Sequence, residues 1–144
     1  MKMLSQKLFN YIYKHVPRLN VDLIFLKNNK ILWTRRKISP YKGKWHLPGG
    51  TVLLHEELQE AVTRIAKKEL GIDVDTMIKI GIIEFLKEGK GRHAVSIVYL
   101  IKSPNKTILL DKSADSFSFL KVPPSNCILE HKKFVLKEYK NDLG

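Results

Sequence analysis

Two spacings organise this chain. Leu4, Leu8, Ile12 and Val16 recur every four positions, the period of one helix face, and Pro17 ends the run. Residues 3–16 are therefore expected to form an amphipathic helix. Val21 to Leu26 and Ile31 to Thr34 are apolar runs of strand length, joined at Lys27-Asn28-Asn29-Lys30 by a hairpin-like turn. Residues 37–50, rich in Lys, Pro and Gly, are expected to be loop. The helical period returns from Glu56 to Leu70. There Leu58, Ala61, Val62 and Ile65 make one inward stripe, and Gly71 stands where a left-handed C-terminal residue belongs. Strands are expected near 77–87 and 93–102, split by Glu88-Gly89-Lys90-Gly91, with shorter ones near 107–110 and 116–122. Ile128, Leu129, Phe134, Val135 and Leu136 predict a last helix after Pro123-Pro124. Strand and helix do not alternate cleanly. That favours an α+β fold, with helices on both sides of a mixed sheet (an α/β/α sandwich), over a doubly wound parallel one.

With 144 residues and no repeat or long linker, residues 1–144 are expected to form a single domain. The 44% hydrophobic and 28% charged content is that of an ordinary globular chain, able to bury a core without a staple. Cys127 is the only cysteine, which excludes an internal disulfide and any multi-cysteine zinc site. No apolar run approaches the roughly 18 residues of a membrane span, and the first residues hold no signal-peptide core. A cytoplasmic protein with no membrane partner is the expectation.

Charge departs from the ordinary. Lys+Arg 26 against Asp+Glu 14 gives +12. Such a surplus favours anionic partners: nucleic acid, an anionic membrane surface or a phosphorylated small molecule. The densest basic stretch is Arg35-Arg36-Lys37 with Lys42 and Lys44, interleaved with Trp33, Tyr41 and Trp45. Elsewhere the lysines are isolated or paired, as on any solvated face.

Chemistry concentrates in residues 43–72, GKWHLPGGTVLLHEELQEAVTRIAKKELGI. Pro48-Gly49-Gly50 lets backbone approach a ligand closely. Glu69 is oddly sited for stability. A negative charge in the last helical turn opposes the macrodipole by about 0.3–1 kcal/mol. Four residues after Ile65, Glu69 also prolongs the inward stripe. Such a carboxylate calls for a cation: a lysine, an arginine, or a hard metal with oxygen ligands such as Mg²⁺.

The segment resembles a Nudix box, G-x5-E-x7-R-E-U-x-E-E-x-G-U with U bulky and aliphatic. Gly50, Glu56, Arg64, Glu69, Gly71 and Ile72 stand on its places, with Ala66 at the first U. Five fixed positions at average residue usage match by chance on the order of once per million starts. The resemblance implies the Nudix fold, an α/β/α sandwich with a mixed sheet. It also implies a hydrolase of nucleoside diphosphate derivatives that uses Mg²⁺, or Mn²⁺ in its place.

Two departures from the box are evident. Its helix normally offers carboxylates at the positions of Ile65, Lys68 and Glu69, and here only Glu69 is acidic. A cluster of several metal ions on this helix is not expected. One Mg²⁺ is, held by Glu69, the Gly49 carbonyl, substrate phosphates and water, with Lys68 turned to solvent. The reduced box resembles that of the GDP-mannose mannosyl hydrolases. So do Phe9, Pro17-Arg18-Leu19, Val21-Asp22, Arg36, Pro40, Gly43 and Trp45, in order and spacing. That branch attacks the sugar carbon; ordinary Nudix members attack phosphorus.

The resemblance implies roles residue by residue. Asp22 falls beside the nucleotide site and Arg36 on the diphosphate, with Arg35 assisting, while Thr51 replaces a further arginine. Arg64 is the box arginine, braced on Glu56 in the family, although Glu60 one turn earlier would serve equally for an ion pair. Before the last strand the branch carries a Gln-His pair, metal ligand and general base. Here Ser113 and Ala114 take those positions, so Asp115 is the candidate catalytic base, with Asp111, His93 and Glu84 as further options. Trp45 and Trp33 stack on a base or pack beneath the loop. His46 lines the pocket or packs. His15, His55 and His131 are expected on the surface at helix ends, and Glu57 and Glu60 at the helix start. The implied ligand is a nucleoside diphosphate-linked small molecule and the implied assembly a homodimer. A nucleotide- or RNA-binding module without turnover is the alternative, motivated by the missing carboxylates and the +12 charge.

Overall fold

Asn28 and Asn29 take left-handed backbone conformations, φ 54° and 60°, and turn the chain between β1 (Arg18–Lys27) and β2 (Lys30–Arg36). A two-residue turn with both residues at positive φ matches the twist of an antiparallel pair, and asparagine tolerates that region. The ladder runs Leu26 to Ile31 and Lys27 to Lys30. The computed structural model describes residues 3–39, 41–88, 91–105 and 107–138.

The remaining described elements are α1 (Gln6–Tyr13), β3 (Trp45–His46), β4 (Gly49–Thr51), α2 (Leu58–Leu70), β5 (Thr76–Glu88), β6 (Arg92–Lys102), β7 (Ala114–Leu120) and α3 (Leu129–Glu138). The sheet is mixed. Its main path is β3-β2-β1-β6-β5, with β1 parallel to β6, and β4 and β7 pair onto β1 and β2. One face buries Val21, Leu23 and Phe25 against Ala61, Val62, Ile65 and Ala66 of α2. The other buries Ile24, Trp33 and Val98 with Phe134 and Val135 of α3. Each such side chain contributes about 1.5–3 kcal/mol on burial. The expected α+β sandwich is the observed one.

Three expectations change in detail. The loop expected over residues 37–50 contains β3 and β4, too short for any periodicity to reveal; β4 ladders onto β1, Asp22 opposite Gly49. The short strand expected near 107–110 does not form. Ile108 and Leu110 pack on the α2 core instead, and the Leu109 N–H donates to the Leu70 carbonyl at 2.8 Å. The helix expected over residues 3–16 is shorter, α1 covering Gln6–Tyr13, and Leu4 and Val16 fall outside it; Leu4, Leu8 and Val16 are exposed, while Phe9, Ile12 and Tyr13 are half-buried. The helix is tied down by its polar and aromatic side chains. Asn10 accepts from Arg92 at 3.1 Å, and the Phe9 ring lies under the Arg18 guanidinium.

Candidate active site

β4 and α2 meet at the glycine turn. Gly71 ends α2 at φ 67°, the left-handed cap its position predicts. At the other end the Glu60 carboxylate accepts from the Glu57 N–H at 3.0 Å, as the helix-start reading requires. Arg64 decides between its two candidate partners. Its Nε donates to Glu56 at 2.7 Å, and one terminal nitrogen donates to Glu56 at 3.0 Å and to the Thr51 carbonyl at 2.8 Å. The Arg64 bond holds the Glu56 carboxyl below its ordinary range. This clamp fixes the glycine turn on the helix, and Arg64 does not line the cavity beyond it.

That cavity, of about 690 Å³, opens on the α3 face of the sheet. Asp22, Arg36, Gly49, Gly50 and Thr51 line one part, and Phe9, Asn10, Arg18, Glu88 and Arg92 another. Gly49 is required by contact. A Cβ there would lie 2.2 Å from Asp22 Oδ1 and 2.6 Å from the Val21 carbonyl. Gly50 rests on the Ile65 side chain, so the first missing box carboxylate has become an apolar support. Lys68, at the second, is exposed as expected.

Glu69 approaches the same turn, accepting from the Gly49 N–H at 3.3 Å. Burial, and then the nearby Asp111 carboxylate, push its carboxyl up to about 8. The Glu69 carboxyl beside a backbone turn, with Asp111 near enough to act on it, offers oxygen donors suited to one hard divalent ion. Among the described residues no group of three or more His, Cys, Asp or Glu gathers as a metal cage. The donor set thus fits a Mg²⁺ ion completed by water and substrate oxygens.

Arg36 lines the cavity, while its neighbour on β2, Arg35, faces the other way as strand alternation requires; the β2–β7 register shifts beside them at Asp115. Burial lowers its guanidinium from the usual value, opposed by the charges of Glu69 and Glu88. Arg35 points elsewhere. It bonds Asp115 at 2.8 Å on the exposed side and lies over the Trp45 ring. Asp115 is accordingly separated from the cavity, its carboxyl held below the ordinary range by Arg35 and Ser116. Trp45 packs against the core and lies outside the cavity lining, and so do His93 and Glu84. Of the candidate residues, Asp22, Arg36 and Gly49 line the cavity; Glu69 is outside its lining and is linked to it by the Gly49 N–H and by its charge interaction with Arg36. Arg35, Trp45, Arg64 and Asp115 stand outside.

Two histidines complete the floor. His46 is buried. Its Nδ1 lies 2.7 Å from the Leu47 carbonyl and its Nε2 3.1 Å from Thr34, so it carries its proton on Nδ1. Burial drives its pKa down to about 3. His131, expected on the surface, is 3% exposed and bonds Asp22 at 3.0 Å. The reason is helical register: three residues after Ile128 and three before Phe134, it shares their inward face. The polar alternation Arg18, Asn20, Asp22 on β1 was a further signal for this floor.

The NUDIX domain model matches residues 16–137. The chain belongs to the Nudix family. It is 32% identical over 131 residues to an ADP-ribose pyrophosphatase of Methanocaldococcus jannaschii, covering 89% of this chain and 75% of that protein. It is 38% identical over 73 residues to the low-salt glycan biosynthesis protein Agl8 of Haloferax volcanii. That match covers 51% of this chain and 47% of the relative, so the chain spans about half the relative's length. Among solved structures, a MutT NUDIX hydrolase from Burkholderia pseudomallei superposes with a TM-score of 0.79 at 23% identity, over 87% of this chain and 99% of that one. At that identity the likeness concerns the Nudix fold, which this chain shares. No helix among the described residues is long and apolar enough to cross a membrane.

Proposed function

We propose that this Nudix protein is a hydrolase of a nucleoside diphosphate linked to a sugar or similar group. The observation that carries the reading is Arg36, a half-buried arginine that lines the same cavity as the glycine turn and feels the charge of Glu69. A guanidinium there neutralises the diphosphate as charge builds on the leaving group. Glu69, the Gly49 carbonyl and Asp111 would hold one Mg²⁺, or Mn²⁺ in its place; when bound, the ion supplies Lewis-acid stabilisation to phosphate oxygens. Asp22 contacts the substrate from the floor, and the Arg64–Glu56 clamp keeps the turn in place. Asp115, paired with Arg35 outside the cavity, is not given the role of base in this reading.

Within this class the GDP-mannose mannosyl hydrolase-like reaction, with attack at the sugar carbon, is favoured by the box reduced at Ile65 and Lys68. The similarity to a glycan biosynthesis protein supports a glycosyl substrate. Attack at phosphorus is the second reading, supported by the similarity to an ADP-ribose pyrophosphatase. Hydrolysis of ADP-ribose and GDP-mannose in ¹⁸O-water separates the two. Label on the sugar hydroxyl supports attack at carbon, and label in phosphate overturns it. No turnover above a Glu69→Gln control, together with salt-sensitive RNA binding, supports the binding-module alternative. A homodimer is supported by the apolar surface at Leu4, Leu8, Val16 and Leu19.

A further inference from the structure

The sheet beneath the cavity is polar where a core is expected. Across the parallel β1–β6 ladder, Asn20 pairs with Ser96 and Asp22 with Val98. Paired residues of such a ladder share a face, here the one carrying Ile24, Ala94 and Val98. Ser96 is fully buried, borders the cavity, and its Oγ finds no hydrogen-bond partner among the described residues. A buried hydroxyl without a partner is costly, and a ligand able to bond it would recover that cost.

Asp22 is held by His131 in a defined way. The Leu47 N–H points at His131 Nδ1 at 3.1 Å, and an amide can only donate. Nδ1 therefore carries the lone pair, Nε2 carries the proton, and that proton is donated to Asp22 Oδ2 at 3.0 Å. Both ring nitrogens are occupied, so His131 has nothing left to offer a ligand. It joins α3, β1 and the segment before the glycine turn. Asp22 Oδ1 lies against Gly49 and receives no hydrogen bond from a described residue. A carboxylate oxygen here repels phosphate and accepts from hydroxyl. The diphosphate is thereby directed to Arg36, and a neutral, hydroxylated part of the substrate to Asp22 and Ser96.

We propose that Asp22 Oδ1 and Ser96 Oγ read hydroxyl groups of the glycosyl moiety attached to the diphosphate, and that His131 is the positioning residue that aims Asp22 at them. This rests on the substrate class proposed above. The test is calorimetric binding of ADP-ribose against ADP, and of GDP-mannose against GDP, with Ca²⁺ in place of Mg²⁺ to suppress turnover. Wild type is expected to prefer one sugar nucleotide over its nucleoside diphosphate. His131→Phe and Asp22→Asn should each reduce that preference about tenfold, the loss expected for a charge-assisted hydrogen bond. Affinity for the bare nucleoside diphosphate should stay within about threefold, a difference of less than 1 kcal/mol. His131→Gln, whose amide can accept from Leu47 and donate to Asp22, should restore most of the preference. Asp22→Asn still accepts from His131 and changes only the other oxygen to a donor, so it carries the test even where His131→Phe fails to fold.

A preference retained in Asp22→Asn overturns the proposal. So does an equal loss for sugar nucleotide and nucleoside diphosphate, which would assign Asp22 to the nucleoside. Wild type that binds none of the four ligands overturns the substrate class itself, a result distinguishable from either.

Discussion

The Glu69 carboxyl and the Gly49 N–H meet at 3.3 Å, and through that contact the last turn of α2 touches the glycine turn 20 residues earlier in the chain. The Gly49 N–H favours the charged carboxylate, but desolvation, and then the Asp111 carboxylate, outweigh it and raise the pKa to about 8, although Glu69 keeps part of its surface exposed.

A pH dependence of stability follows from that value. The folded protein holds the Glu69 proton while the unfolded chain releases it near the ordinary carboxylate pKa of about 4.5. Between those values the native state binds more protons, so this group's contribution is fully present below the lower pKa and is lost as pH rises through about 8. Glu69→Gln, which cannot ionise, should raise Tm relative to wild type at the alkaline end of the window and leave it nearly unchanged at the acid end. Thermal melts in metal-free buffer across the range check this. Equal shifts at both ends would contradict it. Mg²⁺ should raise the wild-type Tm at alkaline pH and do little for the variant.

Glu56 is the most exposed to loss of its partner. Its side chain is 1% accessible and Arg64 supplies two of its hydrogen bonds. Arg64→Ala should cost on the order of 2–3 kcal/mol, below the full penalty for a stranded buried charge because the Arg64 end is partly solvated. Urea titration reads this directly. A change within about 0.5 kcal/mol, typical of a surface substitution, would contradict the clamp.

Gly49→Ala should damage the site before the fold. The new methyl group would meet Asp22 Oδ1 at 2.2 Å, and the carboxylate must move or β4 must detach from β1. The expected result is loss of nucleotide binding of at least about tenfold with the protein still folded, checked by calorimetry beside circular dichroism.

Adjacent arginines should behave oppositely. Arg36→Ala removes the cavity guanidinium and should lower kcat/KM by about a hundredfold or more, as for other lost transition-state charges. Arg35→Ala breaks an exposed pair with Asp115 and should leave turnover within about twofold and Tm within about a degree. Asp115→Asn should match it. A severe defect in Asp115→Asn would return that residue to the role of base.

Helices and hairpin were legible because each is written in local chemistry: the inward stripe of α2, its glycine cap, the Asn28-Asn29 turn. The box residues Gly50, Glu56, Arg64 and Glu69 were legible by spacing. The short strands β3 and β4 were not, because two or three residues carry no period. His131 is buried where a surface position is expected, although its helical position points inward; its partner lies 109 residues away, and no local pattern names such a partner.

By itself, then, the sequence determined the elements, the Nudix box and the loss of two of its carboxylates, since all of these are matters of residue type and spacing. Tertiary structure decided which charged side chains share the cavity. Arg36 lines the cavity, while Arg35 stands outside it, paired with Asp115 of β7. The parallel pairing of β1 with β6 set Asn20 beside Ser96, and α3 folded His131 back onto Asp22. These are relations between distant segments, and only packing brings such segments within a few ångströms, where hydrogen bonds and charges act.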